Sequence, residues 1–135
     1  MHASCRRWRS CSNEQVRRPL WCAAFLSDFH CDRLVVIGVG LIGGSVAAAL
    51  RRAGKVRRIV GVGRGRANIE RALELRVIDE AIDDVALAVK GADIVLLAVP
   101  VRQNDRVLAQ LAPSLAAPTL VTDAGSTKGN FVAAI

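Results

Sequence analysis

The chain has 135 residues, room for one domain of ordinary size, and its 52% hydrophobic residues are enough to fill a single core. Its formal charge of +7 is concentrated at the start, where residues 1–27 hold Arg6, Arg7, Arg9, Arg17 and Arg18 against Glu14 alone, so no nucleic-acid partner is expected. The longest early apolar run, Leu20 to Leu26, is too short to span a bilayer, and Asp28 follows it where a secretion signal would place small residues.

Residues 1–32 differ in composition from everything after them. They contain Cys5, Cys11, Cys22 and Cys31, both tryptophans (Trp8 and Trp21) and both histidines (His2 and His30), and residues 32–135 have none of these types. The cysteine spacing contains no C-x-x-C pair, so no metal is expected, and disulfides have no support in a reducing compartment. An arginine-containing, acid-poor leader also looks like a transit peptide; the preferred reading is a disordered or non-native extension over 1–32 and a cytoplasmic protein.

From Arg33 onward, short apolar runs alternate with segments of helical period, the pattern of an α/β fold with a parallel sheet covered on both faces. The first run is Leu34–Gly38. Helical spacing of Ile42, Val46, Ala49, Leu50 and Ala53 follows, with Gly54 as a stop. The second run is Arg58–Val62, and Ala67–Leu75 sets Ile69, Ala72 and Leu73 on one face of a helix. Asp84–Lys90 reads as a short helix ending at Gly91. Strand Ile94–Val99 precedes a helix over Val101–Leu111, closed by Pro113, and strand Leu120–Asp123 precedes a helix starting at Thr127. All four apolar runs lack polar alternation and are expected to be buried on both faces.

Directly after the first strand stands Gly38-Val39-Gly40-Leu41-Ile42-Gly43, a G-x-G-x-x-G between strand and helix. In that context Gly38 permits the tight turn, Gly40 leaves room for a pyrophosphate, and Gly43 lets the helix pack closely on the strand. The N-terminal N–H groups of the helix, from Leu41 and Ile42 onward, then face the diphosphate. This predicts a Rossmann-type, doubly wound sheet that binds NADP or NAD. At the end of the second strand, where a carboxylate would accept from the ribose hydroxyls of NAD, stand Gly63 and then Arg64-Gly65-Arg66. Two guanidinium groups there can pair with a 2′-phosphate, which points to NADP; the alternative is that Arg64 and Arg66 are solvated loop charges. Ligands of open α/β sheets lie beyond the carboxyl ends of the strands, so Val99, Pro100 and the segment Asp123-Ala124-Gly125-Ser126-Thr127-Lys128 belong to the same rim. Asp123 or Ser126 can also be read as caps of the following helix.

Three segments in this order, Gly38 to Ser45, Ala92 to Pro100, and Asp123 to Lys128, resemble the successive signatures of prephenate/arogenate (cyclohexadienyl) dehydrogenases. The resemblance covers residues 33–135. It implies NAD(P)-dependent oxidative decarboxylation of prephenate or arogenate in tyrosine biosynthesis, with hydride passing to the nicotinamide as carboxylate leaves as CO₂. Ser126 matches a catalytic serine that positions the substrate and a histidine acting on its hydroxyl. In the family that histidine lies in a His-Pro segment downstream of the D-x-G-S-x-K segment, and a helical second domain closes over the small-molecule substrate and forms a homodimer. The chain is therefore expected to be truncated before that second domain, a fragment limited to cofactor binding. Two other readings remain: a two-domain dehydrogenase of β-hydroxyacid or imine-reducing type, and a non-enzymatic NAD(P)-binding module.

Overall fold

A computed structural model describes residues 29–125. Residues 1–28 of the leader expected over 1–32, Ser126, and the helix expected from Thr127 lie outside the described residues. Strands β1 (Cys31–Ile37), β2 (Val56–Val62), β3 (Glu80–Ala81), β4 (Ile94–Leu97) and β5 (Leu120–Asp123) pair in parallel, in the order β3-β2-β1-β4-β5. Helices α1 (Leu41–Arg52), α2 (Arg66–Glu74), α3 (Val85–Ala88) and α4 (Asn104–Leu111) supply the crossovers.

Alternation along each strand divides the interior into two cores. Val35, Ile37, Val60, Val62, Val95 and Leu97 point to one face, where Ala88 and Val89 from the α3 segment and Val107, Leu108 and Leu111 of α4 cover them. Leu34, Val36, Ile59 and Leu96 point to the other, under Ala47 of α1 and Ala72 of α2. The fold is thus a Rossmann-type doubly wound sheet, with β1 fully buried at its centre from Leu34 to Ile37. Among the described residues no helix is long and apolar enough to cross a membrane.

The structure corrects several sequence expectations. β1 begins at Cys31, three residues before the expected run Leu34–Gly38: Cys31 pairs with Val56, is 2% exposed, and donates its N–H to the Lys55 carbonyl at 2.9 Å, so the strand reaches into the expected leader. The Asp93 carboxylate also accepts from the Asp32 and Arg33 N–H groups, at 2.9 and 2.8 Å. A run of Cys, Asp and Arg carries no sustained apolar signal, which is why Cys31 and Asp32 read as part of the leader. β5 is not buried on both faces: among the described residues it stands at one edge of the sheet, and Leu120 is 58% exposed. α1 packs through Gly43, Val46, Ala47 and Leu50, while Ile42, Ala49 and Ala53 face outward. Small residues at 43 and 47 let the helix approach the sheet, and apolar spacing alone favoured the larger side chains. The two-residue β3 went unread, and the expected helix over Val101–Leu111 is a 3-10 turn, Val101–Gln103, leading into α4.

Away from the glycine turn, Asp79 ties α1 to the sheet. Its Oδ2 accepts from Arg51 Nη2 and from the Ile59 N–H, both at 2.7 Å. Burial pushes this carboxyl up, but the Arg51 and Ile59 bonds and the Arg58 charge outweigh it and hold the group below the usual aspartate value. A carboxyl whose folded pKa lies below its unfolded one contributes stability that is fully present above the unfolded value and is lost as pH falls through the folded one. Asp79→Asn is expected to lower stability by about 1 kcal/mol at neutral pH, discounted for partial exposure, with the difference from the parent shrinking below about pH 4. Urea denaturation at pH 7 and pH 3 checks this, and an equal loss at both would refute the charge argument.

Candidate functional site

Strand register sets the carboxyl ends of four strands in one line: Ile37 stands beside Val62 on one side and Leu97 on the other, and Leu97 stands beside Asp123. The chain leaves β1 toward β2 over one face and returns to β4 under the other, so β1 and β4 bound the point where winding reverses. A crevice opens beyond the strand ends at such a point.

The turn after β1 is shaped by its glycines. Gly38 has φ +98°, a region L-residues rarely adopt, and a β-carbon there would lie 2.5 Å from the Ala98 carbonyl oxygen. Its N–H donates to the Val62 carbonyl at 2.7 Å, which fixes the turn against β2. A β-carbon on Gly43 would collide with the Gly38 carbonyl oxygen and lie 2.9 Å from Val36 Cγ1, so α1 meets the sheet here with no side chain between them. Gly40 differs. A β-carbon on it would meet nothing within 4 Å, and its extended backbone (φ −108°, ψ −156°) is open to any residue. No side chain caps α1, whose first internal bond runs from the Gly44 N–H to the Gly40 carbonyl at 2.9 Å. The N–H groups of Leu41, Ile42 and Gly43 are left facing outward at the positive end of the helix, beside the open space at Gly40. Leu41 is 89% and Ile42 58% exposed. An uncapped helix end beside space that no protein atom fills suits a diphosphate group.

Next to this turn lies a cleft of about 940 Å³ between the end of β2 with α2 and the end of β4 with α4. Of the residues predicted from sequence, Gly38, Gly63, Arg64, Arg66 and Val99 line it; Gly40, Leu41, Ile42, Gly43 and Pro100 belong to the adjoining turns rather than its walls. Arg64 donates through Nη2 to Gln103 Oε1, linking the loop after β2 to the turn after β4. Arg66 is 93% exposed and pairs with Glu70 at 3.3 Å, one helical turn on. Sequence reading missed five polar wall residues: Glu70, Asp83, Gln103, Arg106 and Gln110. Gln103 and Arg106 fall just past the Val99-Pro100 rim, a place the strand-end argument already marked. Asp83 follows the unread β3.

At the far end of the rim Asp123 is 9% exposed, and its Oδ2 accepts from the Gly125 N–H at 3.0 Å, so it shapes its own turn. Among the described residues no group of three or more His, Cys, Asp or Glu could hold a metal ion.

Comparison with known proteins adds to this geometry. The family described as "Prephenate dehydrogenase, nucleotide-binding domain" matches residues 46–135. A prephenate dehydrogenase of Bacillus subtilis is 39% identical over 102 residues, 75% of this chain and 28% of the relative. Prephenate dehydrogenase from A. aeolicus, solved with hydroxyphenyl propionate and NAD+, superimposes with a TM-score of 0.70 at 33% identity, over 76% of this chain and 36% of that one. Synechocystis arogenate dehydrogenase gives a TM-score of 0.69 at 35% identity, over the same shares. The chain thus spans between 28% and 36% of the length of these relatives.

Proposed function

Because the chain belongs to the prephenate dehydrogenase family, through its nucleotide-binding domain, we propose that it binds NADP or NAD and serves the NAD(P)-dependent oxidative decarboxylation of prephenate or arogenate in tyrosine biosynthesis. The observation that carries this is the junction of an uncapped helix end, the open space at Gly40 and the cleft beside it, all at the point where the sheet reverses its winding. In this reading the diphosphate lies over Gly38, Gly40 and the N–H groups of Leu41, Ile42 and Gly43. The adenosine half enters the cleft between Gly63 and Val99, and the nicotinamide half runs past Pro100 toward Asp123. When bound, the nicotinamide supplies the hydride acceptor, and the chain's own residues bind and orient it. Ser126, next to the Gly125 turn, is proposed to position the substrate. Small-molecule substrate, cytoplasmic location and homodimeric assembly complete the reading.

For the cofactor's 2′ position the cleft offers Arg64 after β2 and no carboxylate on that strand end. NADP is therefore expected to bind at least as tightly as NAD. Arg64→Ala is expected to weaken NADP about tenfold or more, the effect of removing a charge-assisted bond, and to affect NAD far less. Calorimetric titration of both nucleotides into the chain tests it. A clear NAD preference indifferent to Arg64→Ala would return Arg64 to the role of a solvated charge. It would also favour the second reading that Asp83 carries: an acid lining the same cleft could accept from the ribose hydroxyls of NAD.

A further inference from the structure

We infer that Gln103 is a positioning residue for Arg64, and that the neutral bridge between them sets the preference for a phosphorylated adenosine; this rests on the dinucleotide reading above. Five arginines among the described residues have a side-chain partner. Arg51, Arg57, Arg66 and Arg71 are held by the carboxylates of Asp79, Asp32, Glu70 and Glu74, at 2.7, 3.3, 3.3 and 3.0 Å. Arg64 is held by the amide oxygen of Gln103. The difference is chemical. A carboxylate would fix the guanidinium but cancel its charge toward any incoming anion, whereas an amide oxygen fixes it and leaves the charge intact. One accepted bond also leaves most of the five guanidinium N–H donors for a ligand.

Arg64 needs such an anchor because of where it sits. Gly63 and Gly65 flank it, so the backbone around it carries no side chain to restrict it, and the long Arg64 side chain adds its own rotamer freedom. A guanidinium ordered before the ligand arrives loses less entropy on binding. Gln103 comes from the turn after β4, the opposite wall of the cleft, so the bridge also fixes the separation of the two walls.

The experiment measures dissociation constants of NADP and NAD for the full chain and for Gln103→Leu, Gln103→Glu, Arg64→Ala and the Arg64→Ala/Gln103→Leu pair. The readout is the NAD-to-NADP ratio of those constants, because lost packing or a lost contact to adenine moves both together. Gln103→Leu is expected to lower the ratio about three- to tenfold, the cost of ordering one long side chain. Gln103→Glu is expected to lower it further, since the new carboxylate cancels the Arg64 charge and repels a 2′-phosphate. In the Arg64→Ala background Gln103→Leu is expected to leave the ratio unmoved. A ratio unmoved or raised by Gln103→Leu, while Arg64→Ala still lowers it, overturns the positioning role and spares the NADP reading. A ratio unmoved by Arg64→Ala overturns both, and failure of the parent chain to bind either nucleotide overturns the cofactor reading from which both descend.

Discussion

Gly43→Ala is expected to destabilise the domain by about 3 kcal/mol and to abolish dinucleotide binding, although it adds one methyl group. The added β-carbon would meet the Gly38 carbonyl oxygen, Val36 Cγ1 at 2.9 Å and Ala98 Cβ at 3.0 Å. None of these is the end of a flexible side chain. The first is backbone of the turn itself and the others stand on the central strands or their rim, so the only relief is for α1 to lift from the sheet. Lifting it carries the helix N-terminus away from the turn it completes. The neighbouring glycine provides the control. A β-carbon on Gly44 meets nothing within 4 Å, and a glycine inside a helix is less favourable than alanine by roughly 0.5–1 kcal/mol, so Gly44→Ala should stabilise by about that amount. Denaturant titration of the two variants separates them by sign. Equal, small effects would mean that α1 does not need its close seat on β1.

Gly40→Asp is expected to do the reverse of Gly43→Ala, keeping the fold and losing the ligand. Neither space nor backbone conformation requires glycine at this N-cap position, and aspartate is among the best N-cap residues. Its carboxylate can accept from the free N–H groups of the first turn of α1, which should leave stability unchanged or raise it by about 1 kcal/mol. The same carboxylate then occupies the space and the donors assigned to the diphosphate, and adds a like charge beside it. Binding of NADP and NAD should weaken together by about a hundredfold or more, roughly 2.7 kcal/mol. Thermal unfolding and calorimetric titration on one preparation give both readouts. Retained affinity in a stable Gly40→Asp chain would remove the diphosphate from this turn.

The sequence was most informative where a single physical constraint acted on consecutive residues. The runs that became β1, β2 and β4 were legible because a central parallel strand is apolar throughout, and the glycine turn because Gly38 and Gly43 answer local geometric demands. Leu120–Asp123 was placed correctly as a strand and wrongly as buried, since an apolar run does not say whether it lies at the middle or the edge of the sheet. Cys31 and Asp32 were lost because their pairing depends on Val56 and Asp93, residues distant in the chain. For the site, Arg64 could be named from its position after β2. Gln103 could not, because an uncharged side chain in a turn has no signature until the structure brings it to Arg64.

The cleft is walled from both layers of the fold: Ile69 comes from α2, which packs with the core under α1, and Val107 from α4, which packs with the core on the opposite face of the sheet. A molecule seated there touches two helices that pack into different cores and that are joined through the strands between them and the Arg64–Gln103 bridge. Occupancy therefore works as a reversible tie between the layers. By mass action it raises the free energy of separating either one from the sheet, by about 2.7 kcal/mol when ligand stands at a hundred times its dissociation constant. Opening either the layer holding the glycine turn or the layer holding Gln103 then works against the bound molecule, so in the dinucleotide reading the free ligand concentration becomes part of what keeps the domain folded.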